Sequence, residues 1–259
     1  KALFPEMCTA LIILCYAANV YFSSAVYIFG DDFADWFNQL MMHPSTYWQT
    51  CVITLPFDDA CAEFVWIVEK VMGFGVVSGS NIAQRFLEAL LMIVRRLFDE
   101  EESALLASTQ DSNWLRWHSD REAACSQDLG VASRLHFIDG YTDDVCGMAV
   151  TPDRQLRLIC CWGSVVKGAR TKMASAIKRQ LGTSNLFIGG TMHSVALMAT
   201  LSLDEALSAL LLIAEAFKHA IVSSRWVKLV GKLGHSLYLT RLDYTMMAGL
   251  HGPMQAGRE

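Results

Sequence analysis

The sequence predicts an α+β fold. Helical and strand periodicities mix along the chain without the regular strand–helix–strand alternation of a parallel sheet. Apolar, strand-like runs also flank two acidic turns, Gly30-Asp31-Asp32 and Tyr141-Thr142-Asp143-Asp144. Those runs predict an antiparallel sheet built from a strand ending near Asp32 and a hairpin over 135–150, with a helix over 81–98 packed behind it.

In chain order, the stretch from Cys8 to Gly30 carries no charged residue, which is long enough to span a membrane. Asn19, Ser23 and Ser24 interrupt it, and Tyr16, Tyr21 and Tyr27 are scattered through it. It lacks the basic flank and small-residue cleavage site of a signal peptide. The reading is a buried helix over 7–21 and a short strand over 25–29, with no stable membrane association. A membrane anchor over 8–30 is the competing reading. An amphipathic stretch then runs to Met42 and stops before Pro44. Residues 48–55 read as a strand, and 60–72 as an apolar run broken by Gly73-Phe74-Gly75. Over 81–98 the periodicity is strongly helical and puts Ile82, Phe86, Leu90, Ile93 and Leu97 on one side.

Residues 99–130 are polar, rich in Asp, Glu and Ser, and contain Trp114 and Trp117; they read as an excursion rather than core. After the hairpin come an apolar run over 156–162, a basic helix over 169–179 and a short strand over 186–190. A long apolar helix over 203–220 follows, capped by Ser202 with Asp204 and Glu205 in its first turn. No internal repeat is present.

Composition sets the class. The 259 residues are 53% hydrophobic and 18% charged, which excludes a disordered chain and allows one large domain or two small ones. The net charge of −5 gives no global nucleic-acid signature, but it is unevenly spread. The first 150 residues hold 8 Lys and Arg against 20 Asp and Glu, and the rest hold 13 against 6. An acidic half beside a basic half fits metal chemistry next to a polyanion-binding surface, and also fits plain uneven surface charge. The eight cysteines have no C-x-x-C spacing and the seven histidines no H-x-x-x-H grouping. They read as reduced core residues of an intracellular protein, in cytoplasm or nucleus, without a zinc site.

Three motifs carry chemistry. In the first, Asp32 ends a strand and the aromatic Phe37 follows five positions later. The second is a glycine-rich turn, Gly73-Phe74-Gly75, opening the helix that holds Gln84-Arg85-Phe86. The third is Tyr141-Thr142-Asp143-Asp144. Singly, each has an ordinary explanation: a compensated helix dipole, a helix entry, turn residues. Together they match a need. Phosphoryl transfer to a 3′-hydroxyl uses two divalent cations about 4 Å apart, and magnesium takes carboxylate oxygens. One carboxylate from a strand and a pair from a neighbouring hairpin turn can bridge both ions.

In this order and spacing, the motifs resemble those of retrotransposon reverse transcriptases: D-x-x-D-A-F-x-Q, P-F-G-L-x-x-A-P-x-x-F-Q-R and Y-x-D-D. The likeness extends to the basic segment ending Lys178-Arg179-Gln180-Leu181-Gly182. It includes Leu186-Phe187-Ile188-Gly189, which resembles the F-L-G strand that grips the primer end, and Gly231-Lys232-Leu233, which resembles a G-K-L segment. It covers about residues 26–98 and 135–240. The resemblance implies an RNA-directed DNA polymerase, a nucleotidyltransferase with a palm sheet, flanking helices, partial fingers and a helical thumb-like end. The palm and fingers would take 1–190, with 99–134 as an insertion, and the thumb or connection 191–259.

By that resemblance Asp32, Asp143 and Asp144 bind two Mg2+ ions, with Mn2+ as a substitute. Lys178 joins them in catalysis as proton donor to the leaving pyrophosphate. Phe33, Phe37, Phe74, Gly75, Gln84 and Tyr141 bind the nucleotide, Phe37 excluding a 2′-hydroxyl so that dNTPs are preferred. Lys172, Arg179, Phe187, Gly189 and Lys232 contact the primer and its RNA or DNA template. The departures are Trp36 beside Phe37, Gly73 and Ser80 in place of two prolines, Ala83 in place of an aromatic, and Asp139-Gly140 before Tyr141. They leave a catalytically inactive relative of the same fold as the alternative.

Overall fold

The computed structural model describes residues 3–45, 47, 51–54, 65–68, 70–72, 79–126, 134–201, 203–218 and 223–240. Its centre is a four-stranded antiparallel sheet in the order β4-β5-β1-β6, made of β1 (Val26–Asp32), β4 (His136–Tyr141), β5 (Asp144–Val150) and β6 (Gln180–Gly182). β1 pairs with β5 along its whole length, from Val26 opposite Val150 to Asp32 opposite Asp144. Extended residues alternate between the two faces of a sheet, and the burial follows that alternation. Val26, Ile28, Cys146, Met148 and Val150 enter one core cluster, with α1 (Leu3–Ala17). Phe29, Val145 and Ala149 enter the other, with α3 (Gly79–Ser108) and α5 (Pro152–Gly168). Gly147 stands opposite Phe29, and a Cβ there would lie 2.1 Å from the Phe29 ring. The absent side chain is what lets that ring cross the sheet.

The uncharged N-terminal stretch forms α1 and a π-helical turn, Ala18–Phe22, ended by Ser23 in the left-handed region at φ 46°. Among the described residues no helix is long and apolar enough to cross a membrane. β1 runs on through Gly30 and Asp31 to Asp32, so the expected turn there is corrected to a strand. The chain bends later, at Asp35, with φ 48°, before the short α2 (Trp36–Gln39). β2 (Cys51–Thr54) and β3 (Val65–Val68) form a separate hairpin.

α3 is longer than its periodic core and docks by a different face. Its buried stripe is Ala83, Leu87, Leu91, Val94 and Phe98, while Ile82, Phe86, Ile93 and Leu97 are exposed. Two apolar stripes lie side by side on this helix, and the sheet takes the one headed by Ala83. Residues 99–126 are not an excursion. They finish α3 and form α4 (Ser112–Ser126), which buries Trp114 and Trp117 to 8% and 4% exposure in the α1-side core. Their polarity has partners there. The buried Arg154 bonds Glu102 at 2.7 Å and lies over the Trp114 ring at 4.8 Å.

The helix after the hairpin is α5, started by Thr151, whose hydroxyl accepts from Arg154 N, and by Pro152 in the first turn. The expected basic helix over 169–179 is absent. Ala174 N donates to Asp32 O at 2.7 Å and Ala34 N to Lys172 O at 3.0 Å, so this segment's backbone pairs with the end of β1 instead of with itself. A single 3-10 turn, Ala176–Lys178, leads into β6. The strand expected over 186–190 is two strands, β7 (Ser184–Phe187) and β8 (Gly190–His193), joined by a tight turn with Ile188 at φ 49° and Gly189 at φ 76°. β9 (Met198–Leu201) completes that small sheet, which runs across position 190. α6 (Leu203–Lys218) and α7 (Ser223–Thr240) pack against each other.

Candidate active site

Backbone pairing sets Asp32 beside Asp144, with Asp143 in the adjoining turn. Asp32 ends β1 and Asp144 begins β5, and the two are direct cross-strand partners. Such partners have Cβ atoms roughly 5 Å apart. Asp143 lies in the hairpin turn beside them, where its carbonyl accepts from Phe33 N at 3.2 Å. Thr142 turns the chain in the left-handed region, at φ 57°. Gln84 of α3 clamps this turn from both sides: its Nε2 donates to Gly140 O at 3.1 Å, and its Oε1 accepts from Thr142 N at 2.8 Å.

Two adjacent cations meet two adjacent aspartates. Lys178 Nζ lies 2.7 Å from Asp32 Oδ2. On the opposite face of β1, Arg179 Nε lies 3.2 Å from Asp31 Oδ1, and Trp162 Nε1 donates to Asp31 Oδ2 at 3.1 Å. Burial, and then the charge of Asp32, raises the Asp143 pKa. Burial, followed by the charges of Asp143 and Asp32, pushes Asp144 up to about 6. The hydrogen bond and charge of Asp32 raise the pKa of Lys178, which stands in solvent.

Asp32 Oδ1 is buried without a hydrogen-bond partner. A buried anionic oxygen left bare is costly, and a hard cation satisfies it. Among the described residues no three Asp, Glu, His or Cys side chains are grouped so as to hold a metal ion. Magnesium does not need such a group: it keeps several waters and takes one or two carboxylates plus substrate phosphates. The Asp32–Asp144 pair therefore has donor chemistry that fits that ion.

The pair opens onto a cleft of about 600 Å³, walled on the far side by Lys178, Phe187, Ile188 and Gly189. Asp32, Asp144, Lys178, Phe187 and Gly189 are thus brought together. Tyr141, 53% exposed, is the cross-strand partner of Asp144 on the other edge of β5. Phe33 is 2% exposed, stacked on Trp36 at 4.1 Å and edge-on to Trp162 at 5.8 Å, and Phe37 is buried in the same cluster. Lys172 is exposed; its backbone is fixed by Gln39, whose Oε1 accepts from Lys172 N at 2.6 Å and whose Nε2 donates to Lys172 O at 2.8 Å. Arg179 lies behind β1 rather than in the cleft wall. Lys232, half-buried on α7, is not among the residues lining the cleft. Phe74 and Gly75 lie outside the described residues. Asp31, Trp162 and Gln39 were not singled out from sequence. The signal for Asp31 was available: once β1 extends to residue 32, neighbouring aspartates face opposite ways and each needs a partner.

No family model matches the sequence, and no curated protein matches it. Solved structures do. The foamy virus protease–reverse transcriptase in complex with an RNA/DNA hybrid superposes at TM-score 0.51 with 11% identity, over 90% of this chain and 24% of that one. Its dRH form in complex with double-stranded DNA gives TM-score 0.52 and 11% identity, over 91% and 32%. A telomerase from Candida tropicalis gives TM-score 0.43 and 8% identity over 76% and 40%, too loose to add to the assignment. The chain has an α+β, reverse-transcriptase-like fold and spans a third or less of the length of the viral proteins.

Proposed function

We propose that this chain is the palm core of an RNA-directed DNA polymerase of a retroelement, adding dNTPs to a primer 3′-hydroxyl by two-metal nucleotidyl transfer. The observation that carries this reading is the pairing of Asp32 with Asp144, with Asp143 in the adjoining turn, at the mouth of an open cleft. Asp32, Asp143 and Asp144 would hold two Mg2+ ions, with Mn2+ as a substitute. Bound there, the ions would lower the pKa of the attacking hydroxyl and neutralise charge developing on the phosphates. The remaining roles belong to side chains. Lys178, protonated and in solvent reach, gives its proton to the leaving pyrophosphate. The Phe187-Ile188-Gly189 turn abuts the primer end across the cleft. Tyr141 borders the incoming nucleotide, and Lys172 and Lys178 draw the template–primer phosphates. Gln84 holds the hairpin turn at the geometry the carboxylates need.

The test is primer extension on an RNA template with Mg2+, comparing the chain with its Asp32→Asn and Asp144→Asn variants, beside template–primer binding at rising salt. Extension by the parent, lost in both variants, is the expected result, with affinity falling steeply as salt releases counterions. Wild-type extension by either variant overturns the reading. A second reading, a non-catalytic scaffold of the same fold, draws support from the Lys178 ammonium already seated on Asp32. Binding of template–primer without extension by the parent selects it.

A further inference from the structure

The two cations that meet the end of β1 belong to a weakly anchored segment. β6 has three residues, and its register sets Gln180 opposite Gly30. Carried further, the same register sets Arg179 opposite Asp31 and Lys178 opposite Asp32, and these are the two ion pairs. The cationic side chains leave on opposite faces: Lys178 lines the cleft, and Arg179 lines the hollow behind β1. Residues 175–179 are exposed throughout, Ile177 to 93%. No buried side chain of their own holds them down. Their backbone closes one 3-10 turn, with Lys178 N donating to Ser175 O at 2.9 Å and Arg179 N to Ala176 O at 3.2 Å. Those bonds fix the shape of the turn and not its aim.

Asp31 is the fixed end of its pair. Its side chain is 9% exposed, against 53% for Arg179. Trp162, buried on α5, donates to one carboxylate oxygen at 3.1 Å. The other oxygen accepts from Asp32 N at 3.1 Å and from Arg179 Nε at 3.2 Å. The pair between Lys178 and Asp32 cannot serve as the anchor. In the reaction proposed above, on which this inference rests, Lys178 leaves Asp32 to give its proton to the pyrophosphate. Among the described residues, Arg179 on Asp31 is then the ion pair that this segment keeps.

We propose that Asp31 is a positioning residue for Lys178: seated on Trp162, it holds Arg179 behind β1 and so keeps the neighbouring ammonium aimed into the cleft. Arg179 serves the site from behind the sheet, without touching the reacting atoms.

Amine labelling of the whole chain in a chelator tests this, with the N-hydroxysuccinimide ester of acetic acid as probe and mass spectrometry to read each lysine. Lys178 is shielded while it is held on Asp32. Asp31→Asn leaves Trp162 an acceptor and removes the charge that Arg179 meets. Arg179→Met removes the same pair from the exposed end, and serves if Asp31→Asn does not fold. In either variant Lys178 should label about two to five times faster, the scale of one exposed ion pair. The double variant should label no faster than the singles, because both break one contact. Lys167 and Lys172 should label as in the parent. In primer extension, Asp31→Asn should lower kcat by a similar factor and leave the KM for dNTP unchanged. Unchanged labelling of Lys178, a double variant faster than either single, or a rise shared by Lys167 and Lys172 overturns the proposal. So does an unchanged kcat in a variant whose Lys178 is released. The two readings fail separately. Extension by the parent with unchanged labelling in the variants sinks the positioning role alone. Released Lys178 in a chain that extends no primer keeps the Asp31 anchor and sinks the polymerase reading.

Discussion

Replacing Asp144 by Asn should make the metal-free protein more stable, although it removes a residue of the candidate active site. The unfolded Asp144 ionises near 3.8 and the folded one near 6. Below 3.8 the group is protonated in both states and costs nothing. Above 6 it is ionised in both, and the folded state carries the full penalty of burying a charge beside Asp143 and Asp32. Its contribution to stability therefore falls as pH rises through that window. At 1.36 kcal/mol per pH unit, a displacement of about two units is about 3 kcal/mol. Asp144 is only half-buried, so solvent screening leaves about 1–2 kcal/mol. In a chain of this size that is a rise in Tm of about 3–6 °C for the Asn variant at neutral pH. The assay is a set of paired thermal melts from acidic to neutral pH in a chelator. The gain should be largest at neutral pH and shrink toward pH 4, because the difference between two proteins cancels the groups they share. Added Mg2+ should raise the parent more than the variant. An Asn variant that melts no higher than its parent at neutral pH, or a gain that does not shrink in acid, refutes the reasoning.

Three further outcomes are expected. Gln84→Ala should cost about 1–2 kcal/mol and speed amide exchange in the 140–142 turn, since two hydrogen bonds to that turn are lost; unchanged exchange there would show that something else restrains it. Gly147→Ala should cost about 2 kcal/mol or more, because the new Cβ would lie 2.1 Å from the Phe29 ring, and Phe29→Leu added to it should recover part of the loss in chemical denaturation. His136, held neutral down to about 3 when folded against 6.5 when free, contributes stability above 6.5 that is lost as pH falls toward 3; the parent should lose stability relative to His136→Phe as pH falls below 6.5, and parallel curves would argue against it.

The sheet was legible because strand chemistry is local. Period-2 apolar runs ending in aspartates predict β1, the hairpin and their shared acidic end, and a tight turn between apolar strands predicts where Asp143 sits. α3 was legible as a helix but not in its orientation. Periodicity detects both of its apolar stripes, and only packing against β4 and α5 chooses between them. The segment over 169–179 reads as a helix in isolation, and its pairing with Asp32 and Ala34 overrides that preference. Trp114 and Trp117 were misplaced because most of the residues around them are polar. Arg154, which lies over the Trp114 ring and pairs with Glu102, is far from both in sequence, so no local pattern reveals that match. Asp31 was hidden by its neighbour: the chemistry of a single carboxylate drew attention to Asp32, and Trp162 and Arg179 come from elements whose position depends on the whole sheet.

The double pairing of Asp31 with Arg179 and Asp32 with Lys178 bears on how this protein tolerates change in length. The partners are separated by 148 and 146 positions, and the cost of closing so long a loop grows only slowly with further residues. Extra residues in the connections between α3, α4 and β4 leave both pairs in place. One extra residue inside β1 or between Lys178 and Arg179 transposes them, turning one aspartate toward Trp162 and the other into the cleft out of turn. Insertion scanning should therefore find the connections flanking α4 permissive, and the two dipeptides, like the paired strands, intolerant of even a single added residue.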